Sequence, residues 1–340
     1  MKRKSAVAVA CLTFFLCMTT VTHAKGTVLT TRVNTVAKTG WQYTNDNWYY
    51  YDANGNIQTG WISYGGHKYY LHPNGTMAKG WVFTDGHYQY LNNFGIQQFG
   101  WQMINGNWYH FDENGDMETG WIIYNNRNYY MRPSGEMATG WVFTNGHYQY
   151  LNTVGIQQTG WQMINGKWYL LDTDGNMETG WIQYNGRNYY MQTSGEMATG
   201  WVYTNDHYQY LDAFGIQKYG WQNVYNTWYY LGDDGNMQTG WLNLSQNYYY
   251  CNSSGAMLTG WQFINGNWYY MAPSGVMLSG WQYINGHWYY LGDSNDGSMK
   301  SGWQIIHGTT YYFKANGMMA ENGWLLENGT WYHFRAGGAQ

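Results

Sequence analysis

The sequence predicts an all-β protein, a β-hairpin solenoid built from about fifteen repeats of 20 residues. Three observations lead to this prediction. Gly-Trp recurs every 20 residues from Gly40-Trp41 to Gly280-Trp281, and two slightly longer units follow. In many units an Asn-Gly or Asp-Gly dipeptide separates two short aromatic or β-branched runs. Aromatic residues make up 21% of the chain and charged residues only 11%, a composition that excludes a disordered chain.

Each unit is predicted to be one hairpin followed by a linking turn. In the unit that begins at Trp281, Asn285-Gly286 separates two aromatic-rich runs, and a type I′ turn needs the positive φ angles that Asn and Gly adopt. All three prolines of the chain, such as Pro73, stand two residues before the glycine of the linking turn, where a fixed φ is acceptable. A lone hairpin is at best marginally stable in water, so neighbouring units must stack to bury their aromatic residues.

The repeats define the predicted domain organisation. Residues 1–24 have the pattern of a secretory signal peptide, because three basic residues precede an apolar stretch and a cleavage site ends at Ala24. Residues 25–39 form a short N-terminal segment. Residues 40–220 also repeat with a period of 60 residues and are predicted to carry partly degenerate sites. Residues 221–340 are closer to a single consensus and are predicted to end in a cap.

Charge and motifs exclude several classes of function. The formal net charge is −4, and cleavage after Ala24 would leave 13 Lys and Arg against 20 acidic residues, so nucleic-acid binding is not expected. No apolar stretch after the signal peptide is long enough to span a membrane. We find no Gly-x-Ser-x-Gly motif and no metal-ligand spacing of Cys and His, so the sequence predicts no enzyme activity, no metal and no cofactor. Cleavage would leave one thiol, Cys251, which we expect to be buried in place of a Leu or Met.

The tryptophans occupy two positions of the unit. Fifteen follow the glycine of Gly-Trp, and the other seven lie seven residues later. Eight units have Lys, Asn, Tyr or Thr at this second position, as at Lys68 and Asn128. A position that accepts such different side chains is not a core position, so we expect its tryptophan to be partly exposed. Exposed rings at regular spacing predict a recognition surface, either a cage for a quaternary ammonium group or a platform for a sugar ring.

The full motif of the unit resembles a known repeat. Thr259-Gly260-Trp261, followed by Asn-Gly-Asn-Trp-Tyr-Tyr and by Gly-Val-Met-Leu-Ser-Gly, is similar to the choline-binding, or cell-wall-binding, repeat of streptococcal surface proteins. The resemblance covers all fifteen units. It implies a solenoid of choline-binding-type repeats with a choline site between consecutive hairpins, formed by both tryptophans of one unit and a tyrosine of the next. It also implies a secreted, non-catalytic protein that is attached non-covalently to the bacterial cell wall.

Carried over residue by residue, the resemblance implies six choline sites, each with the second tyrosine of the pair in the following unit. They are Trp41, Trp48 and Tyr70; Trp101, Trp108 and Tyr130; Trp161, Trp168 and Tyr190; Trp221, Trp228 and Tyr250; Trp261, Trp268 and Tyr290; and Trp281, Trp288 and Tyr312. Trp324 and Trp331 have no following hairpin and are expected to belong to the cap. Within the 60-residue period only one unit type keeps both tryptophans, so two of its three joints are expected to be doubtful choline sites.

The resemblance also suggests partners and leaves two kinds of ligand open. The expected ligand is choline or phosphocholine of wall and membrane teichoic acids, and other wall proteins or a host surface are further candidate partners. A negative chain is repelled by teichoic acid phosphates, so the attraction must come from the ammonium groups. A role as adhesin and a role in modulating wall hydrolases both stay open. The alternative is a glucan- or carbohydrate-binding repeat protein, whose repeats have fewer Trp-Tyr-Tyr runs and usually no Met.

Overall fold

The computed structural model describes residues 38–340. The predicted signal peptide and residues 25–37 of the short N-terminal segment lie outside the described residues. Within the described range the chain forms thirty strands of five residues each, and none of its segments is a helix that could cross a membrane.

The strands follow one another at the repeat spacing along the chain. They are β1 Gly40–Thr44, β2 Asn47–Tyr51, β3 Gly60–Tyr64, β4 His67–Leu71, β5 Gly80–Thr84, β6 His87–Leu91, β7 Gly100–Ile104, β8 Asn107–Phe111, β9 Gly120–Tyr124, β10 Arg127–Met131, β11 Gly140–Thr144, β12 His147–Leu151, β13 Gly160–Ile164, β14 Lys167–Leu171, β15 Gly180–Tyr184 and β16 Arg187–Met191. They continue with β17 Gly200–Thr204, β18 His207–Leu211, β19 Gly220–Val224, β20 Thr227–Leu231, β21 Gly240–Leu244, β22 Asn247–Cys251, β23 Gly260–Ile264, β24 Asn267–Met271, β25 Gly280–Ile284, β26 His287–Leu291, β27 Gly302–Ile306, β28 Thr309–Phe313, β29 Gly323–Glu327 and β30 Thr330–Phe334.

Each odd-numbered strand pairs with the next strand, and every hairpin is a separate antiparallel two-stranded sheet. The predicted turn is confirmed: Asn105 and Gly106, between β7 and β8, have φ angles of 49° and 88°, as a type I′ turn requires. Tyr225 and Asn226 adopt the same two positive angles, 48° and 66°. The turn type is therefore kept even where the sequence lacks Asn-Gly. The open succession of hairpins confirms the predicted β-hairpin solenoid.

The register of the hairpin sends alternate side chains to opposite faces. In the first hairpin, Trp41 pairs with Tyr50 and Tyr43 pairs with Trp48, so these four rings share one face. Tyr49 lies on the other face. The two tyrosines of each Tyr-Tyr pair therefore face different neighbours.

Main-chain hydrogen bonds in the linking turn connect consecutive hairpins. The amide of Met77 donates to the carbonyl of Trp48 in the preceding hairpin at 2.8 Å. The next amide, that of Ala78, donates to the carbonyl of Tyr70 in its own hairpin, also at 2.8 Å. The linking turn thus holds the second strand of two successive units, and it places Met77 beside the preceding tryptophan position.

The core consists of small clusters repeated along the chain. The last residue of the second strand is fully buried in most hairpins, as Leu71 and Leu151 show. Cys251 occupies this position in β22 and has no exposed surface, which confirms the predicted burial. Burial raises the pKa of its thiol to about 11.

The described residues belong to two compact units. One holds residues 38–100 and 111–117, and the other holds residues 101–110 and 118–340. The same joint between consecutive hairpins recurs inside each unit, so the candidate site can be built within either one.

The glycine of the linking turn combines a special backbone angle with a close contact. Gly155 has a φ of 81°, and a Cβ added there would overlap the side chain of Met137. Gly146, in a hairpin turn, has a φ of 82° but nothing within 4 Å of its Cβ position. The two glycines therefore separate the backbone requirement from the packing requirement.

Gly155→Ala should weaken the joint between units more than Gly146→Ala. Both variants place an L-residue at positive φ, at a cost of roughly 1–2 kcal/mol. Only Gly155→Ala also displaces Met137, which adds about 1–3 kcal/mol of overpacking. Amide hydrogen exchange at Met137, whose N–H donates to the carbonyl of Trp108 at 2.7 Å, reports this locally. Equal protection of that amide in the two variants would contradict the packing role.

Cys251 should be unreactive in the native protein. Its side chain is buried and its pKa is about 11, so little thiolate exists at mildly alkaline pH. We expect iodoacetamide to label the peptide that contains Cys251 only after denaturation, as measured by mass spectrometry. Rapid labelling of the native chain would show that the core around β22 is open.

Candidate functional site

A crevice lined with aromatic rings lies where two consecutive hairpins meet. At the joint of β13–β14 with β15–β16, Trp161 and Trp168 come from the first hairpin and Tyr189 from the second. The two indole rings have centroids 6.3 Å apart and planes at 86°. The ring of Tyr189 is 5.1 Å from that of Trp161, at 61°. Three rings therefore border one space from different directions.

Side chains of the linking turns complete the crevice. Met197, from the turn after the second hairpin, lines it together with Ala213 and Phe214 from the turn one unit further on. The cavity has a volume of about 360 Å³. None of these residues, nor the three rings, carries a formal charge.

The equivalent joints repeat this arrangement. Trp101 and Trp108 are 6.3 Å apart at 85°, and Tyr129 and Met137 join them around a cavity of about 420 Å³. Trp41 and Trp48 have the same separation at 87°, around a cavity of about 300 Å³. We call these joints the aromatic crevices.

In five of the six predicted sites the two tryptophans are in ring contact. At the sixth, Trp221 contacts Tyr230 and Tyr249 instead of Trp228. The structure also places a different tyrosine beside the pair. Tyr70 pairs across its own hairpin with Trp61, with ring centroids 5.2 Å apart. Tyr69, one residue earlier, is the tyrosine that approaches Trp41, at 5.0 Å. Strand alternation is the reason, because neighbouring residues of β4 point to opposite faces.

The same one-residue correction applies to the other five predicted sites. The predicted tyrosines pack on the Gly-Trp tryptophan of their own hairpin; they are Tyr130, Tyr190, Tyr250, Tyr290 and Tyr312. The tyrosines that contact the preceding hairpin's tryptophan are Tyr129, Tyr189, Tyr249, Tyr289 and Tyr311.

The second tryptophan of each predicted site is partly exposed, as the sequence predicts. The exposed fraction ranges from 37% for Trp288 to 44% for Trp228. Trp324 and Trp331, which belong to the last hairpin of the described residues, are 66% and 62% exposed. The difference shows how much of an indole pair the next hairpin covers.

The sequence did not predict a further set of aromatic crevices. Trp201 and Tyr208 have ring centroids 6.5 Å apart at 88°, and Tyr229 of the next hairpin is 4.8 Å from Trp201. The amide of Met237 donates to the carbonyl of Tyr208 at 2.7 Å, so the methionine is supplied as well. The available signal was a tyrosine at the second tryptophan position with a methionine in the following unit.

Burial raises the pKa of tyrosine hydroxyls in these crevices. It is the sole cause for Tyr289, and for Tyr69 it acts together with the neighbouring Tyr64. For Tyr169, burial acts first and the carboxylate of Glu196 second. These rings therefore stay neutral at physiological pH and present their electron-rich faces.

Each 60-residue period contains three joints between hairpins, and one of the three is lined mainly by polar side chains instead of aromatic rings. At the joint of β3–β4 with β5–β6, Lys68 stands at the second tryptophan position, Gln89 at the tyrosine position and Gln97 at the methionine position. Trp61 is the remaining ring of a cavity of about 280 Å³. Two further joints of this kind are built on Trp121 and Trp181. Between residues 38 and 340 no group of three or more His, Cys, Asp or Glu is placed to hold a metal ion.

Comparison with protein families identifies the repeats. The model of the choline-binding repeat matches residues 38–74, 58–94, 99–140, 138–179, 219–259, 258–301 and 300–340. The chain belongs to the choline-binding repeat family. A second model, described as a putative cell wall binding repeat, matches residues 179–197. Family membership and the aromatic crevices together support binding of choline and association with the cell wall.

Solved structures of Streptococcus pneumoniae proteins resemble the chain. Choline binding protein F is 29% identical, with a TM-score of 0.54, and the match covers 71% of this chain and 98% of that protein. CbpJ is 30% identical, with a TM-score of 0.42, over 88% of this chain and 99% of CbpJ. The modular autolysin LytC is 24% identical, with a TM-score of 0.42, over 77% of this chain and 52% of LytC. The comparison with curated protein sequences gave no match.

Proposed function

We propose that this chain is a secreted, non-catalytic cell-surface protein that binds choline groups of teichoic acids in its aromatic crevices. The observation that carries the proposal is the pair of perpendicular indole rings closed by a tyrosine of the next hairpin, as in Trp161, Trp168 and Tyr189. This arrangement recurs at Trp41, Trp101, Trp261 and Trp281, where the indole centroids lie 6.2 to 6.5 Å apart and the ring planes meet at 81° to 87°.

The chemistry of the crevice suits a quaternary ammonium group. A trimethylammonium head cannot donate hydrogen bonds and is weakly hydrated, so it leaves water for an apolar cage at small cost. Each ring contributes about 0.5–2 kcal/mol of cation–π attraction, and three rings give an affinity of order millimolar. A primary ammonium group would lose hydrogen bonds to water that these rings do not replace.

At two of the aromatic crevices, those of Trp101 and Trp161, uncharged lining residues distinguish this mode of binding from an ion pair; the crevice of Trp41 also has Lys79 in its lining. Trp101, Trp108, Tyr129 and Met137 share their crevice with Thr153 and Val154, and none of the six carries a formal charge. The attraction then depends on the ring faces and changes little with ionic strength.

Many weak sites on one chain suit a polymer that carries many copies of the ligand. Linking such sites raises the overall affinity by about 10² to 10⁴ when several are engaged together. A chain held in this way lowers the number of choline groups open to other wall proteins, which gives it a role in modulating wall hydrolases by mass action. Firm attachment to the wall serves equally for an adhesin.

Replacing the first tyrosine of the pair should weaken choline binding, whereas replacing the second should not. We expect the triple variant Tyr69→Leu, Tyr129→Leu, Tyr189→Leu to weaken three sites about two- to thirtyfold, because each loses one ring. The matched control is the triple variant Tyr70→Leu, Tyr130→Leu, Tyr190→Leu. Equilibrium dialysis with labelled choline measures both, with circular dichroism as the check of folding. Equal loss in two folded variants would contradict the assigned geometry.

The full chain should be retained on a column that carries a quaternary ammonium analogue of choline. Free choline should elute it, whereas the same concentration of sodium chloride or of ethanolamine should not, because neither offers a methylated cation. Dextran should not elute it either. Elution by dextran and not by choline would favour a carbohydrate-binding repeat protein instead.

A further inference from the structure

Three joints carry glutamines, five of the six buried, where the aromatic crevices carry a tyrosine and a methionine. We call them the amide crevices, and each consists of the tryptophan of one hairpin and two glutamines of the next unit. They are Trp61 with Gln89 and Gln97, Trp121 with Gln149 and Gln157, and Trp181 with Gln209 and Gln217. A buried amide needs hydrogen-bond partners, so this exchange changes what the joint can bind.

A chain of hydrogen bonds fixes the tryptophan of the first amide crevice. The Nε1–H of Trp61 donates to Oγ1 of Thr84 at 3.2 Å, and the Thr84 hydroxyl donates to Oε1 of Gln89 at 3.2 Å. The Nε2–H of Gln89 donates in turn to Oδ1 of Asp116 at 2.5 Å. The indole N–H is therefore occupied, and Trp61 offers the crevice its ring.

Gln97 leaves one acceptor unused in the same crevice. Its side chain is only 3% exposed, and its Nε2–H donates to the carbonyl of Asn114 at 2.9 Å. Its Oε1 is buried and accepts no hydrogen bond from the protein. A buried oxygen without a donor is costly, so a ligand that supplies one gains binding energy there.

The other two amide crevices satisfy the corresponding oxygen internally. Nδ2 of Asn128 donates to Oε1 of Gln157 at 2.7 Å, and Nδ2 of Asn188 donates to Oε1 of Gln217 at 2.9 Å. Lys68 occupies the asparagine position in the first crevice, where it is exposed and donates no hydrogen bond to Gln97. The substitution of a lysine for an asparagine thus leaves the Oε1 of Gln97 without a donor.

We propose that the amide crevice at Trp61 binds one ring of an uncharged saccharide. A pyranose ring has an apolar C–H face that packs on the indole and a rim of groups that both donate and accept hydrogen bonds. One hydroxyl or amide N–H of the sugar donates to Oε1 of Gln97, and Lys68 and Asp85 at the lining pair with other hydroxyls. The cavity of about 280 Å³ is close to the lower end of the usual range for ligand sites.

The same features exclude choline from this crevice. Only one ring remains of the three that border the aromatic crevices, and a trimethylammonium group has no donor for Gln97. The chain therefore offers two chemistries on one scaffold, with methylated cations at the aromatic crevices and a neutral sugar at Trp61.

Saturation-transfer NMR on the full chain tests this proposal. The probes are a trisaccharide of N-acetylglucosamine and a trisaccharide of glucose, each with and without excess choline. We expect transfer to at least one trisaccharide, undiminished by choline. A response to the N-acetylglucosamine probe alone assigns an amide-bearing sugar, and a response to both shows that hydroxyls suffice.

Substitutions that the chain already uses elsewhere provide the matched variants. Gln97→Met introduces the residue found at this position in Met77, and it should weaken sugar binding about two- to tenfold by removing the acceptor. Gln98→Ala, which copies Ala78, should leave sugar binding unchanged. Gln157→Met should also have little effect, because that oxygen already accepts from Asn128.

Choline binding, measured on the same samples, separates this proposal from the proposed function. Retained choline binding shows that the chain is folded, so the absence of any response to both trisaccharides would overturn the sugar site alone. Sugar binding that survives Gln97→Met, or that excess choline abolishes, would overturn it as well. Sugar binding without choline binding would leave this site standing and contradict the aromatic crevices.

Discussion

Stacking of one hairpin on the next is the interaction on which this protein depends. A single hairpin such as Gly40–Tyr51 cannot bury its own aromatic face, and an isolated two-stranded sheet has little stability in water. The amide of Met77 reaches back to the carbonyl of Trp48, and the ring of Tyr69 packs against Trp41. The contacts that hold consecutive hairpins together are therefore also the contacts that build the aromatic crevices. Fold and site share one set of residues.

The sequence predicts the repeating elements well because their causes are local. The hairpin turn at Asn105 and Gly106 follows from the positive φ angles that these two residues tolerate, and the partial exposure of Trp228 follows from the variety of side chains at its position. The choice of Tyr70, where the structure places Tyr69 against Trp41, has a different origin. Choosing between adjacent residues requires knowing which face of a strand meets the preceding unit, and a local motif does not contain that information.

The further aromatic crevices were missed for a related reason. The methionine that serves the joint of Trp201 and Tyr208 is Met237, which lies in the linking turn of the following unit. In the sequence, however, Met237 belongs to the unit that contains Trp221 and Trp228. Only the path of the linking turn in three dimensions assigns it to the preceding joint, so unit-by-unit comparison of the sequence undercounts the aromatic joints.

Three side-chain positions decide whether a joint is aromatic or polar, while the backbone stays the same. They are the positions of the second tryptophan, the tyrosine and the methionine. Methionine and glutamine both fit above the glycine of the turn one unit further on, as Met77 does at Gly95 and Gln97 at Gly115. The scaffold therefore tolerates a change from a cage of rings to a network of amides without a change of fold. This tolerance explains how one array combines joints with different lining side chains within a period of 60 residues.

Grafting an aromatic crevice onto the first amide crevice tests the account most directly. The variant Lys68→Trp, Gln89→Tyr, Gln97→Met gives the joint at Trp61 the three residues that the aromatic crevices use. Equilibrium dialysis should show one more equivalent of bound choline than the unaltered chain binds. An unchanged or smaller number of equivalents, with the circular dichroism spectrum of the folded chain retained, would contradict the claim that these rings form the choline site.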